Sequence, residues 1–148
     1  MVLVPAVWFA LGRKRVWRYP FDVDILVVLP FAIDMAGNAA NLYDTIDWWD
    51  DANHFVNWAI LVTGFTLLLE RTSLPQRAIA GLGVGFGAVA AIVWELLEYE
   101  TFIKHSKELK TAYTDTLGDL ALGLGGSLVA ACGVAWVVSR RRKPARDG

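Results

Sequence analysis

The sequence predicts an all-α integral membrane protein: one bundle of four transmembrane helices, preceded by a short apolar segment lying at the interface. Three observations carry this expectation. Hydrophobic residues make up 55% of the chain and charged residues only 20%, with a mean hydropathy of +0.41, too apolar for an ordinary water-exposed domain. Four apolar stretches have lengths that suit membrane helices. The basic residues gather on one side of a four-span arrangement. A formal net charge of −1 gives no global attraction to nucleic acid, so none is expected as a partner.

The first element, MVLVPAVWFALG at residues 1–12, is apolar, but its positive residues Arg13, Lys14 and Arg15 follow it. With no small-residue cleavage site either, it does not read as a signal peptide. A helix of about 11 residues reaches about 16 Å, short of a hydrocarbon core of about 30 Å, so the segment is expected to lie at the interface. The four spans then follow at about 25–43, 54–69, 78–97 and 116–138, and a basic tail occupies 139–148. A soluble helical core would need polar faces on these segments, and they have almost none.

Orientation follows from lysine and arginine. Arg13, Lys14, Arg15 and Arg18 precede the first span, Arg71 and Arg77 separate the second from the third, and Arg140, Arg141, Arg142, Lys143 and Arg146 follow the fourth. Eleven of the 14 basic residues thus share one side, and only Lys104, Lys107 and Lys110 fall on the other, which predicts both termini in the cytoplasm. Trp8, Trp17 and Tyr19 suit the inner interface, and Tyr43, Trp48, Trp49, Trp94 and Tyr99 the outer one.

Cys132 is the single cysteine, which excludes an intrachain disulfide, and it reads as a small packing residue. Gly81, Gly83, Gly85 and Gly87 in the third span, and Gly123, Gly126, Ser127 and Ala130 in the fourth, give small-xxx-small pairs that let helix backbones approach. Whether they hold the monomer together or make a dimer is open from sequence.

The polar residues are expected to converge on the outer leaflet. Asp34, Asn38 and Asn41 share a face of the first span at i, i+4, i+7. Asp51 and His54 stand at the outer start of the second, Glu95 and Glu98 at the outer end of the third, and Asp115 and Asp119 at the outer start of the fourth. An acid at mid-membrane costs about 2.5–3.5 kcal/mol on insertion scales, so each needs a partner. Crowded carboxylates either keep protons or take up a cation, and a histidine can ligate a metal or carry a proton. Asp22 and Asp24 read as complements to a helix dipole, Asp115 with Thr116 as a helix start, and Asp44, Asp47 and Asp50 as solvated loop acids.

The ordered motifs DDANHF, WELLEY and DTLGDLALGLGG carry a resemblance to the YjdF-like family of small bacterial inner-membrane proteins, over roughly residues 25–135. That resemblance implies a bacterial plasma-membrane location and functional positions at Asp51, His54, Glu95, Glu98, Asp115, Thr116 and Asp119. The order is more distantly similar to VanZ-like proteins, which are associated with glycopeptide-antibiotic resistance. The chain departs from the YjdF-like pattern at the lysine-bearing KHSKELKTAYT, where a glycine-rich segment is expected. The resemblance supplies no reaction.

Two functions of different kind follow. In the first, Asp51, His54, Glu95, Glu98 and Asp119 ligate a divalent metal. Oxygen-rich ligands with one histidine suit Mg, Mn or Fe. Asp115 or Asp34 then acts as general base, and a lipid-linked or envelope substrate is hydrolysed. In the second, the cluster is a proton or cation site, or a structural hydrogen-bond network, in a non-enzymatic envelope protein. Its partners are the bilayer and further copies of the chain, since four spans are few for a pathway. No nucleophile set or phosphate-binding loop is evident.

Overall fold

The computed structural model describes residues 19–141. These residues are all helical or connecting, with no strand among them. Helix α1 is Phe21–Ala39, α2 the short Leu42–Thr45, α3 Trp49–Leu69, α4 Gln76–Glu98 and α5 Ala112–Arg141. A π-helical turn, Tyr99–Ile103, extends α4, and a 3-10 turn, Lys107–Lys110, precedes α5. The N-terminal apolar segment at 1–12 and most of the basic tail lie outside the described residues.

Three helical stretches are long and apolar enough to cross a membrane: Trp49–Leu69, Gln76–Ile103 and Ala112–Arg141. They contain the second, third and fourth expected spans and overrun them at both ends or one. The first expected span needs the larger correction. Helix α1 has 19 residues, carries Asp22, Asp24 and Asp34, and stops at Ala39, not near residue 43. The stop has a local cause. Asn41 adopts φ 56°, a left-handed conformation that asparagine tolerates better than other non-glycine residues, and it turns the chain into α2. Asn41 therefore leaves the face that Asp34 and Asn38 share. The second span also starts earlier than its apolar run suggests. Asp50 and Asp51 sit in the first turn of α3, where acids complement the positive end of the helix dipole.

Helix α3 is the centre of the bundle. It packs against α1, α4 and, most extensively, α5, while α4 also packs along α5 and α1 has its main contact with α3. Small residues make these approaches possible. A Cβ on Gly87 would collide with Ser127 and Val62, and one on Gly126 with the Phe55 carbonyl. A Cβ on Gly83 would come within 2.8 Å of Thr66 Oγ1, and one on Gly123 within 2.7 Å of the Trp58 ring. Gly81 and Gly85 meet no atom within 4 Å. The interfacial glycines thus close contacts within one chain. Between these contacts lie buried Val62, Ala130 and Ala131, with Phe65 stacked on Phe86 at 4.3 Å between ring centres. Cys132 departs from the expected packing role: it is exposed on α5.

Candidate metal centre and adjoining cavity

At the end of the bundle where α3 begins, α4 ends and α5 begins, charged side chains from all three helices meet. His54 lies one turn into α3 and is only 8% exposed. Its Nε2 is 3.7 Å from Asp50 Oδ1 and 3.7 Å from Asp119 Oδ1, and its Nδ1 is 3.6 Å from Glu95 Oε1. Glu95 and Asp119 are buried, while Asp50 is about half-exposed. Glu98, one turn beyond Glu95, completes a second grouping with His54.

These separations are too long for direct hydrogen bonds, and His54 Nδ1 is buried with no hydrogen-bond partner. They do suit an ion. In each of two trios, Asp50–His54–Asp119 and His54–Glu95–Glu98, the donor atoms lie within 4.8 Å of one another. Ligands on opposite sides of an ion, bound at about 2.1 Å, are themselves about 4.2 Å apart. Among the described residues no lysine or arginine pairs with these acids: Arg71 pairs with Asp22 and Lys104 with Glu100.

The expected site residues divide as follows. His54, Glu95, Glu98 and Asp119 are brought together. Asp51 is exposed and outside both trios, and its neighbour Asp50 faces His54 instead. Asp50 was expected as a solvated loop acid; the early start of α3 places it one turn before His54 on the same helical face. Asp115 is exposed in the first turn of α5 and joins neither trio. Asp34 is separate again, at the end of a polar chain that charge alone does not reveal.

That chain runs Asn57 to Asn53 to Tyr43 to Asp34. The Tyr43 hydroxyl donates to Asp34 Oδ1 at 2.6 Å, Asn53 Nδ2 donates to the Tyr43 oxygen at 3.1 Å, and Asn57 Nδ2 donates to Asn53 Oδ1 at 3.4 Å. Asn38 Nδ2 also donates to the Asp34 carbonyl, at 3.1 Å. Tyr43 was expected as an interfacial aromatic, but it joins the connection after α1 to α3. Burial pushes its phenol above the usual range, and the Asp34 carboxyl beside it adds to the rise, so the hydroxyl keeps its proton and donates. The sequence did hold one sign of the chain: Asn53 and Asn57 stand at i, i+4 inside an apolar run.

Asp50, His54 and Glu98, together with Asp34, Tyr43, Asn53 and Asn57, line a cavity of about 130 Å³ whose other walls are apolar. Part of the His54–carboxylate cluster thus forms one wall of an amphipathic chamber.

The family model described as "Predicted membrane protein (DUF2238)" matches residues 1–140. The chain belongs to the DUF2238 family. No curated protein and no solved structure matches it. Membership agrees with the three membrane-length helices and identifies this DUF2238 member as a membrane protein. Its family description assigns no chemistry, so the reading of the cluster rests on geometry.

Proposed function

We propose that this DUF2238 protein binds a divalent metal ion through His54 and the surrounding carboxylates. One observation carries the reading: a buried histidine, unpartnered at Nδ1, stands 3.6–3.7 Å from acids on its own helix and two others. A structural network would close those gaps into hydrogen bonds, because an unmet buried polar group is costly. An ion between the groups satisfies them together. The imidazole offers the ion one nitrogen and donates from the other, so the acid on the far side becomes the acceptor that orients the ring. Mostly oxygen ligands with one nitrogen favour Mg, Mn or Fe over a structural zinc.

Such an ion would polarise a bound oxygen and lower the pKa of water, which is the chemistry of metal-assisted hydrolysis. A lipid-linked or envelope substrate fits a site at the edge of an apolar bundle. Asp34 or Asp115 would act as general base; Asp34 already accepts from Tyr43, and Asp115 is exposed. The finer likeness to YjdF-like proteins, through DDANHF, WELLEY and DTLGDLALGLGG, supports a bacterial plasma-membrane location. The basic residues support cytoplasmic termini with the cluster toward the outer leaflet.

The test is metal content by inductively coupled plasma mass spectrometry on protein purified in detergent. About one ion per chain is expected in wild type and about a tenth or less of that in His54→Ala, in keeping with the loss of a direct ligand. Asp51→Asn should retain the ion. Loss in Asp119→Asn with retention in Glu98→Gln assigns the ion to Nε2, and the reverse pattern assigns it to Nδ1. Wild-type protein without stoichiometric metal, also after incubation with Mg²⁺, Mn²⁺ or Fe²⁺, overturns the proposal.

A further inference from the structure

The cavity beside His54 has a chemistry of its own. Its polar lining is a chain of hydrogen bonds that all run in one direction. Because Tyr43 donates to Asp34, its oxygen accepts from Asn53, whose carbonyl in turn accepts from Asn57. That direction fixes the Asn57 amide with its nitrogen inward along the chain. Its Oδ1 is left as a buried acceptor with no hydrogen-bond partner. Asp34, Asp50 and Glu98 add carboxylates to the same lining, and no lysine or arginine is among its described residues. His54, nine-tenths buried and unpartnered at Nδ1, stands in the same wall. The chamber therefore presents an unmet amide oxygen and three carboxylates, with no cationic side chain among its described lining residues.

Its position is equally specific. The lining comes from Pro30 and Phe31 on α1, Leu61 on α3 and Trp94 on α4. Helices α1 and α4 both pack on α3 but make no substantial contact with each other, so the chamber lies in the gap between them. Phe31 on α1 and Trp94 on the membrane-length α4, on its two sides, are exposed aromatic rings. Asn57 lies about 12 Å along α3 from its start at Trp49, well inside the apolar zone. A molecule that fills this space has a polar end that donates hydrogen bonds and an apolar body that leaves between Phe31 and Trp94.

We infer that the cavity takes, from the side of the bilayer, a lipid whose head group presents hydroxyl or ammonium donors, in preference to one that presents a bare phosphate. The inference rests on the metal-centre reading in placing that head group beside His54. Its binding contacts are those of Asn57 and the apolar walls, which are independent of the ion. A phosphate monoester brings acceptors to acceptors and negative charge to acids, and a single divalent ion does not offset three lining carboxylates.

Native mass spectrometry of the detergent-solubilised protein tests this with three lipids of identical acyl chains: glucosyl-diacylglycerol, phosphatidylethanolamine and phosphatidic acid. The first or second should bind about tenfold or more tightly than the third, and which of them does so separates hydroxyl from ammonium recognition. Asn57→Leu should abolish that preference while its metal content stays at the wild-type level. Leu61→Trp, which fills the apolar end without touching the polar chain, should weaken the preferred lipid about tenfold and serves if Asn57→Leu does not fold. Equal or tighter binding of phosphatidic acid overturns the inference, as does unchanged binding in Leu61→Trp. A lipid preference in protein that holds no metal sustains this inference while removing the metal-centre reading.

Discussion

Tyr43 and His54 illustrate how differently single residues declare themselves. His54, Glu95, Glu98 and Asp119 were legible because a charged group against an apolar run is expensive and demands a partner. Asp51 was set beside His54 and Asp50 left in the loop, whereas Asp50 faces His54; adjacent helical positions differ by about 100°, and the sequence does not mark the turn at which α3 starts. The amides of Asn53 and Asn57 carry no charge, so Asn53, just before the expected span, and Asn57, within it, passed without notice. Tyr43 passed as an interfacial ring because nothing in the sequence shows that the chain reverses at Asn41 and brings it back to Asp34. Its hydroxyl is nonetheless a hub, donating to Asp34 and accepting from Asn53. Tyr43→Phe should lower stability by about 1–2 kcal/mol, measured by denaturation in detergent, with metal content unchanged. A loss of metal in that variant would show that the chain and the cluster act as one unit.

At the scale of elements, apolar length located α3, α4 and α5, and it misplaced the limits of α1. That helix is shorter and more acidic than α3, α4 and α5, and its end is set by one backbone conformation at Asn41, which hydropathy does not register. The glycine pattern was visible, but not which glycines face a neighbour, because overlapping small-xxx-small pairs lie on different faces of one helix. The structure separates them. Gly126→Ala should destabilise by about 1–3 kcal/mol, since the added methyl meets the Phe55 backbone, which cannot step aside as a side chain can. Gly81→Ala, with open space around it, should stay within about 0.5 kcal/mol of wild type. Unfolding in mixed detergent and dodecyl sulfate micelles measures both, and equal effects would contradict the packing described.

For the molecule as a whole, the sidedness of charge gives a topology that labelling can check. In a Cys132→Ala background, Ser106→Cys should react with a membrane-impermeant maleimide on intact cells, and Ser73→Cys only after permeabilisation, as expected when the basic α3–α4 turn is cytoplasmic. The reverse pattern would invert the bundle and bring the His54–carboxylate cluster to the inner leaflet. Convergence of the acids was readable at this scale because alternating spans return every second helix end to the same side. The most extensive helix contact joins α3 to α5, which leaves the ribosome after α3 and α4. Until α5 arrives, His54 has no Asp119 beside it, and the Phe55 carbonyl has no Gly126 to lie against. Synthesis therefore delivers a half-built cluster first, and the order of insertion makes the arrival of α5 the step that finishes it.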